Sequence, residues 1–199
     1  VLGNEIIQFA TAETLGSGKF RLTNLLRGRL GTEYATATHE AGERFIMLDE
    51  RLRTLTVPVS QKGVSWAVKP VTFGQSETDV SAEDYVITAR SLMPLSTVQV
   101  SATRDVSGNA TIHWTRRARH GGEWRSEVDV PLMETSEHYD LEIIHSGNVV
   151  RSWRVTTSSQ LYTVAEQTAD LGGVSGAITV RIYQLSSLVG RGQVKQMVI

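Results

Sequence analysis

Apolar and polar residues alternate with a period of two along most of the chain, the pattern of half-buried strands. Phe20 and Leu22 alternate with Lys19, Arg21 and Thr23, and an apolar-rich run from Glu5 to Glu13 precedes them. Leu15-Gly16-Ser17-Gly18 separates the two runs, so this stretch reads as a β-hairpin with a short glycine-containing turn. Further strands are expected at Arg44–Leu48, Leu52–Val57, Val64–Phe73 and Asp84–Ala89, each bounded by Gly, Pro, Ser or Asp. Helical periodicity is weak. His39 to Leu52 comes nearest, but Gly42 interrupts it, and the continuous block Phe45-Ile46-Met47-Leu48 reads as a buried strand, followed by one helical turn at Asp49–Leu52.

Met93-Pro94-Leu95-Ser96 reads as a linker, and a new rhythm begins after it. Val98, Val100 and Ala102 alternate with polar neighbours, Asp105-Val106-Ser107-Gly108-Asn109 supplies a turn, and Ala110, Ile112 and Trp114 resume the alternation. Tyr139–Ile144, Val149–Val155, Leu161–Ala165, Ile178–Leu185 and Gln193–Val198 complete seven short strands in about 100 residues, the spacing of an immunoglobulin-like sandwich. The expected architecture is all-β: a small β-domain over residues 1–93, barrel or sandwich, followed by a β-sandwich over residues 94–199.

Composition narrows the classes of function. The 199 residues hold 20 Lys+Arg and 21 Asp+Glu, a net charge of −1. Residues 1–93 carry 10 basic and 11 acidic groups and residues 94–199 carry 10 and 10, so no basic half is hidden by the average. That balance speaks against a general nucleic-acid or membrane-surface binder. No apolar run approaches the roughly 20 residues of a membrane span. With no cysteine in the sequence, disulfide frameworks, thiolate zinc sites and cysteine nucleophiles are excluded. The chain begins at Val1 rather than Met, which reads as a piece of a longer protein.

Two resemblances emerge from the residues. The segment Pro94 to Ile199 resembles a fibronectin type III domain: it lacks the cysteine pair of antibody domains, and Trp114, Tyr139 and Tyr183 stand where that family places core aromatics. The run Asn24-Leu25-Leu26-Arg27-Gly28-Arg29-Leu30-Gly31-Thr32-Glu33 is similar to a signature of the tail-tip (baseplate hub) protein of siphophages and gene transfer agents. Ala41-Gly42-Glu43-Arg44-Phe45, Pro94-Leu95-Ser96, Trp114-Thr115-Arg116-Arg117-Ala118-Arg119, Val130-Pro131-Leu132-Met133-Glu134 and Tyr183-Gln184-Leu185-Ser186 resemble further parts of the same protein, in order. The departure is Leu30, where that family more often carries a second arginine. The resemblance implies the C-terminal region of a longer chain, a non-catalytic scaffold in a virion tail tip. It also implies other tail proteins and fibres as partners, a homotrimeric assembly and no cofactor. The alternative is a carbohydrate-binding or adhesive module, with Trp66, Trp124 and Trp153 as candidate sugar platforms.

Candidate chemistry is sparse. Gly16-Ser17-Gly18-Lys19 lacks the first glycine and the hydroxyl of a phosphate loop, since Phe20 follows the lysine. His39-Glu40 lacks the second histidine of a zinc-protease helix, and His113, His120, His138 and His145 have no ligand spacing. Asp140 and Glu142 would share one strand face roughly 7 Å apart, a spacing common without catalysis. Two clusters stand out as contact surfaces. Arg27, Arg29 and Glu33 can pair with one another or with a neighbour. Arg116, Arg117, Arg119, Trp124 and Arg125 combine the residue types enriched at interface hot spots, and Glu123, Glu127 and Asp129 are nearby carboxylates that could neutralise them.

Overall fold

In a computed structural model, residues 1–122, 129–174 and 176–199 are described. The chain is nearly all-β, 39% strand and 12% helix. β1 (Gln8–Gly16) and β2 (Lys19–Leu26) form the expected hairpin, with Gln8 opposite Leu26 and Thr14 opposite Phe20. Its tip turns through Ser17 at φ 51° and Gly18 at φ 72°, the doubly left-handed turn whose twist suits a two-residue connection. β3 (Ser65–Val68) and β4 (Glu83–Val86) make a second two-stranded ribbon, with Trp66 opposite Tyr85. Between these ribbons the backbone runs through short helical turns and extended segments.

The expected strands at Arg44–Leu48 and Leu52–Val57 do not form. Only an isolated bridge between Phe45 and Leu2 exists there, and Phe45, Ile46, Met47 and Leu48 are 43–51% exposed instead of buried. A continuous apolar block becomes a buried strand only when another layer covers it, and no such layer lies over this one. The turn at Asp49–Leu52 is present, closed by the Leu52 N–H on the Asp49 carbonyl.

β5 (Val98–Arg104), β6 (Ala110–Thr115), β7 (Tyr139–His145), β8 (Asn148–Val155), β9 (Ser159–Tyr162), β10 (Thr179–Ser186), β11 (Gly190–Arg191) and β12 (Lys195–Val198) build the sandwich. One sheet has the order β5-β6-β9; the other runs β8-β7-β10, with β11 and β12 pairing successive parts of β10. All pairings are antiparallel, and this order is that of a fibronectin type III domain. Alternate residues of β6 (Ala110, Ile112, Trp114), β7 (Tyr139, Leu141, Ile143) and β10 (Val180, Ile182) fill the core. Two edge-to-face aromatic pairs join the sheets: Trp114 with Tyr139 at 5.2 Å, and Trp153 with Tyr162 at 5.5 Å between ring centroids.

Two local expectations are corrected. Tyr183 lies on the outer face of β10, where Arg191 stacks 4.4 Å from its ring centre; the inward positions are Val180, Ile182 and Gln184. The strand expected over Leu161–Ala165 stops at Tyr162, and α1 (Val164–Leu171) follows. Thr163 and Glu166 form a reciprocal capping box, and Gly172 at φ 79° ends the helix.

Burial is divided unequally. Of the 14 buried apolar residues among the described residues, 12 belong to the sandwich, and Ala35 and Ile87 precede it. Of the 28 exposed large apolar residues among the described residues, 19 lie in the first 93. The accessible surface is 13394 Å², whereas two compact domains of half this mass would expose about 11,200 Å² together. Leu141→Ala, at the fully buried centre of β7, should cost about 2–5 kcal/mol, read as a lowered denaturant midpoint.

Candidate functional site

The arginine–glycine motif of residues 24–33 folds around a carboxylate outside it. Glu5 is fully buried. Arg27 grips it side-on, with Nε 2.7 Å from Oε1 and Nη2 2.6 Å from Oε2. The Gly28 N–H donates to Oε1 at 2.6 Å, and His39 Nε2 lies 2.5 Å from Oε2. His39 Nδ1 meets Glu43 at 2.5 Å. Both ring nitrogens therefore face carboxylates, an arrangement that suits the doubly protonated imidazolium. Arg27 also donates to the Thr36 carbonyl, so the buried acid and its arginine hold together the segments around residues 5, 27–28 and 36–39.

Glycine is required at the centre of this knot. Gly28 has φ 61°, and a Cβ there would sit 2.9 Å from both Cα and Cγ of Glu33. Thr32 completes the turn: its hydroxyl accepts from the Ile6 N–H and donates to the Arg29 carbonyl.

The pKa values follow this geometry. The Arg27 hydrogen bonds outweigh burial and, with His39 and the Gly28 N–H, hold the Glu5 carboxyl at about 2 against an ordinary 4.5. His39 is raised above its ordinary 6.5, first by Glu43 and then by Glu5, against the opposing effect of desolvation.

The motif then reaches the sandwich. Glu33 pairs with Arg117 Nη1 at 2.7 Å, and Arg117 donates to the carbonyl and hydroxyl of Ser96. Gly31 lies so close to Leu95 that a Cβ would stand 2.7 Å from Leu95 Cδ2. The residues expected to be a linker are tied down as well: the Pro94 carbonyl accepts from the Gln193 N–H at 2.8 Å.

The structure thus joins part of the two arginine clusters through Glu33 and Arg117. Arg27, Arg29 and Glu33 do not pair with one another. Arg116 pairs with Asp129, as the local carboxylates suggested, and approaches Glu137 at 3.8 Å. Arg119 pairs with nearly buried Glu134 at 2.6 Å. Arg29 is exposed and has no carboxylate partner among the described residues. Trp124 and Arg125, with Glu123 and Glu127, lie outside the described residues. Glu5 is not readable from the sequence, since a lone glutamate beside apolar residues carries no local signal.

The other candidates have structural settings. Asp140 and Glu142 lie on the outer face of β7, where Arg191 bonds both, at 2.8 and 2.7 Å, and Arg154 bonds Asp140. Burial pushes Asp140 upward, but the two arginines bring it below the ordinary carboxylate range. Among the described residues no group of His, Asp and Glu has metal-binding geometry, and no helix is long and apolar enough to cross a membrane. Trp66 and Trp153 are half-buried in different sheets; the Trp66 N–H bonds Gln61, and Trp153 packs on Tyr162.

Residues 1–46 match the family described as Rcc01698-like, C-terminal. Domains d3–d4 of the rat CD45 extracellular region are similar over 95% of this chain and 93% of that one, at 10% identity and a TM-score of 0.38. The FN5 domain of Drosophila Lar is similar over 54% of this chain and 95% of its own, at 16% identity and a TM-score of 0.30. No curated protein matches in sequence.

Glu5→Gln should destabilise the chain by about 2 kcal/mol in denaturant unfolding, less than the roughly 3–5 kcal/mol of a fully buried pair because solvent reaches Arg27. The pH dependence has two limbs. The raised His39 contributes stability that is complete below pH 6.5 and lost as pH rises through its folded value. The lowered Glu5 contributes stability complete above pH 4.5 and lost as pH falls toward 2. Thermal melting of the wild type should therefore fall on the alkaline side more steeply than that of His39→Gln; parallel curves would remove His39 from the network.

Proposed function

We propose that this chain is a structural, non-catalytic part of a phage or gene-transfer-agent tail tip, in the C-terminal region of its baseplate hub. The observation that carries the reading is the surplus surface of roughly 2,000 Å² over two compact domains of the same total mass, estimated from the size scaling of folded proteins. Most of its large apolar side chains lie in the first 93 residues. A two-stranded hairpin with both faces wet is marginal by itself, and contiguous exposed apolar surface marks an interaction site. Permanent complexes bury about 2,000–5,000 Å², so a shell of neighbouring subunits would cover such a surplus.

The match of residues 1–46 and the ordered sequence resemblances support the same reading. On this proposal the first 93 residues are the assembling domain, with other tail proteins, tail fibres and further copies of the chain, as a trimer, around them. The sandwich acts as a self-sufficient module at the periphery, and the particle is the site of action.

Antibodies raised to this chain should label the distal tail end of purified particles in immunogold electron microscopy. Unlabelled tail tips on intact and detergent-loosened particles, with no peptides of the chain found by mass spectrometry, would defeat the assignment.

A further inference from the structure

A cleft of about 300 Å³ opens where the hub-like motif meets the sandwich. Leu30, Met93 and Leu95 give it an apolar floor, and Arg90, Arg119 and His120 supply its polar wall. No carboxylate lines it among the described residues. The two arginines differ in kind. Arg119 is neutralised by Glu134. The Arg90 side chain contacts the hydroxyl and ring of Tyr34, and among the described residues no acid balances its charge. An unneutralised guanidinium beside an apolar pocket is complementary to a carboxylate adjoining an apolar group.

Leu30 adds an independent sign. It is 71% exposed and holds φ 55°, the left-handed region that is unfavourable for a leucine. The close packing of Gly31 on Leu95 fixes the backbone on one side, and the Gly28 turn fixes it on the other. Backbone strain that presents an apolar side chain to solvent gains nothing within the chain and belongs with sites that meet a partner.

We propose that this cleft docks a peptide segment of a partner protein in which a large apolar side chain adjoins a carboxylate. The apolar side chain enters between Leu30 and Leu95, and the carboxylate pairs with Arg90. The proposal rests on the assembly reading for the source of the peptide, while the binding itself is measured separately.

The test is fluorescence polarisation of the 199-residue chain with short capped peptides whose central Phe or Leu is flanked by Asp, Asn or Lys. The Asp-flanked peptide should bind at least about tenfold more tightly than the Asn-flanked one, and the Lys-flanked one more weakly still. Arg90→Gln should bring the Asp-flanked peptide to the Asn level. Leu30→Gly should abolish binding while the melting temperature holds or rises, because glycine adopts the left-handed backbone without strain. Absence of binding by every peptide, equal affinity for Asp and Asn flanks, or binding unchanged in Leu30→Gly would each overturn the proposal. Tail-end labelling without peptide binding defeats the cleft alone; peptide binding without labelling defeats the tail-tip reading alone.

Discussion

Glu5 is the one acid on which the first part of the chain depends. A carboxylate with no contact to water is costly unless its lone pairs are used. Here Arg27, the Gly28 N–H and His39 use them. Because these donors come from separate segments, satisfying one buried charge fixes the hairpin end, the glycine turn and the segment after it together. Glu33 then carries the arrangement onward to Arg117 and Ser96 of the sandwich. Loss of the Glu5 charge would leave Arg27 and His39 without their common partner, so the effect reaches beyond a single contact.

The two parts of the molecule solve the folding problem differently. The sandwich follows the ordinary route: inward residues of two sheets interlock, and aromatic pairs join them at 5.2 and 5.5 Å. Its outer face is held by the ladder of Arg154, Asp140, Arg191 and Glu142. The first 93 residues instead rely on polar closure and leave Phe20, Phe45 and Leu48 facing water. Hydrogen bonds and ion pairs fix direction and register, but they do not remove apolar area from solvent. A chain organised in this way has a defined shape and an unsatisfied surface, properties expected of an assembling subunit.

This division also explains what was legible in the sequence. Period-two alternation located the main sandwich strands because each has a face buried within the same chain, whereas the hairpin was legible from its alternation and glycine turn although both its faces are wet. α1 carried a readable signal in Thr163 and Glu166, but the preceding strand pattern obscured it. Phe45 to Leu48 misled because continuous apolarity does not specify what covers it. Tyr183 looked like a core aromatic, yet strand parity turns it outward, toward Arg191. Arg27 and Glu33 were recognisable as a motif, whereas their partners were not. Glu5 and Arg117 lie 22 and 84 positions away from them, respectively, and only the folded backbone brings these groups together.

The location of the arginines constrains how such a subunit could recognise its neighbours. Arg27, Arg116, Arg117 and Arg119 already have carboxylate partners inside the chain. Recruiting them to an external acid would require breaking those pairs and leaving partly or fully buried Glu5 and Glu134 uncompensated. An assembly built on this surface would therefore draw its affinity chiefly from apolar burial. Charge would act mainly through exposed groups such as Arg29 and Arg90, which set orientation and choice of partner more than strength. The motif of residues 24–33 has an internal task that the contacts define: its arginine and glycine close the fold around Glu5. On the docking proposal, that same closure is what would hold Leu30 out toward a partner.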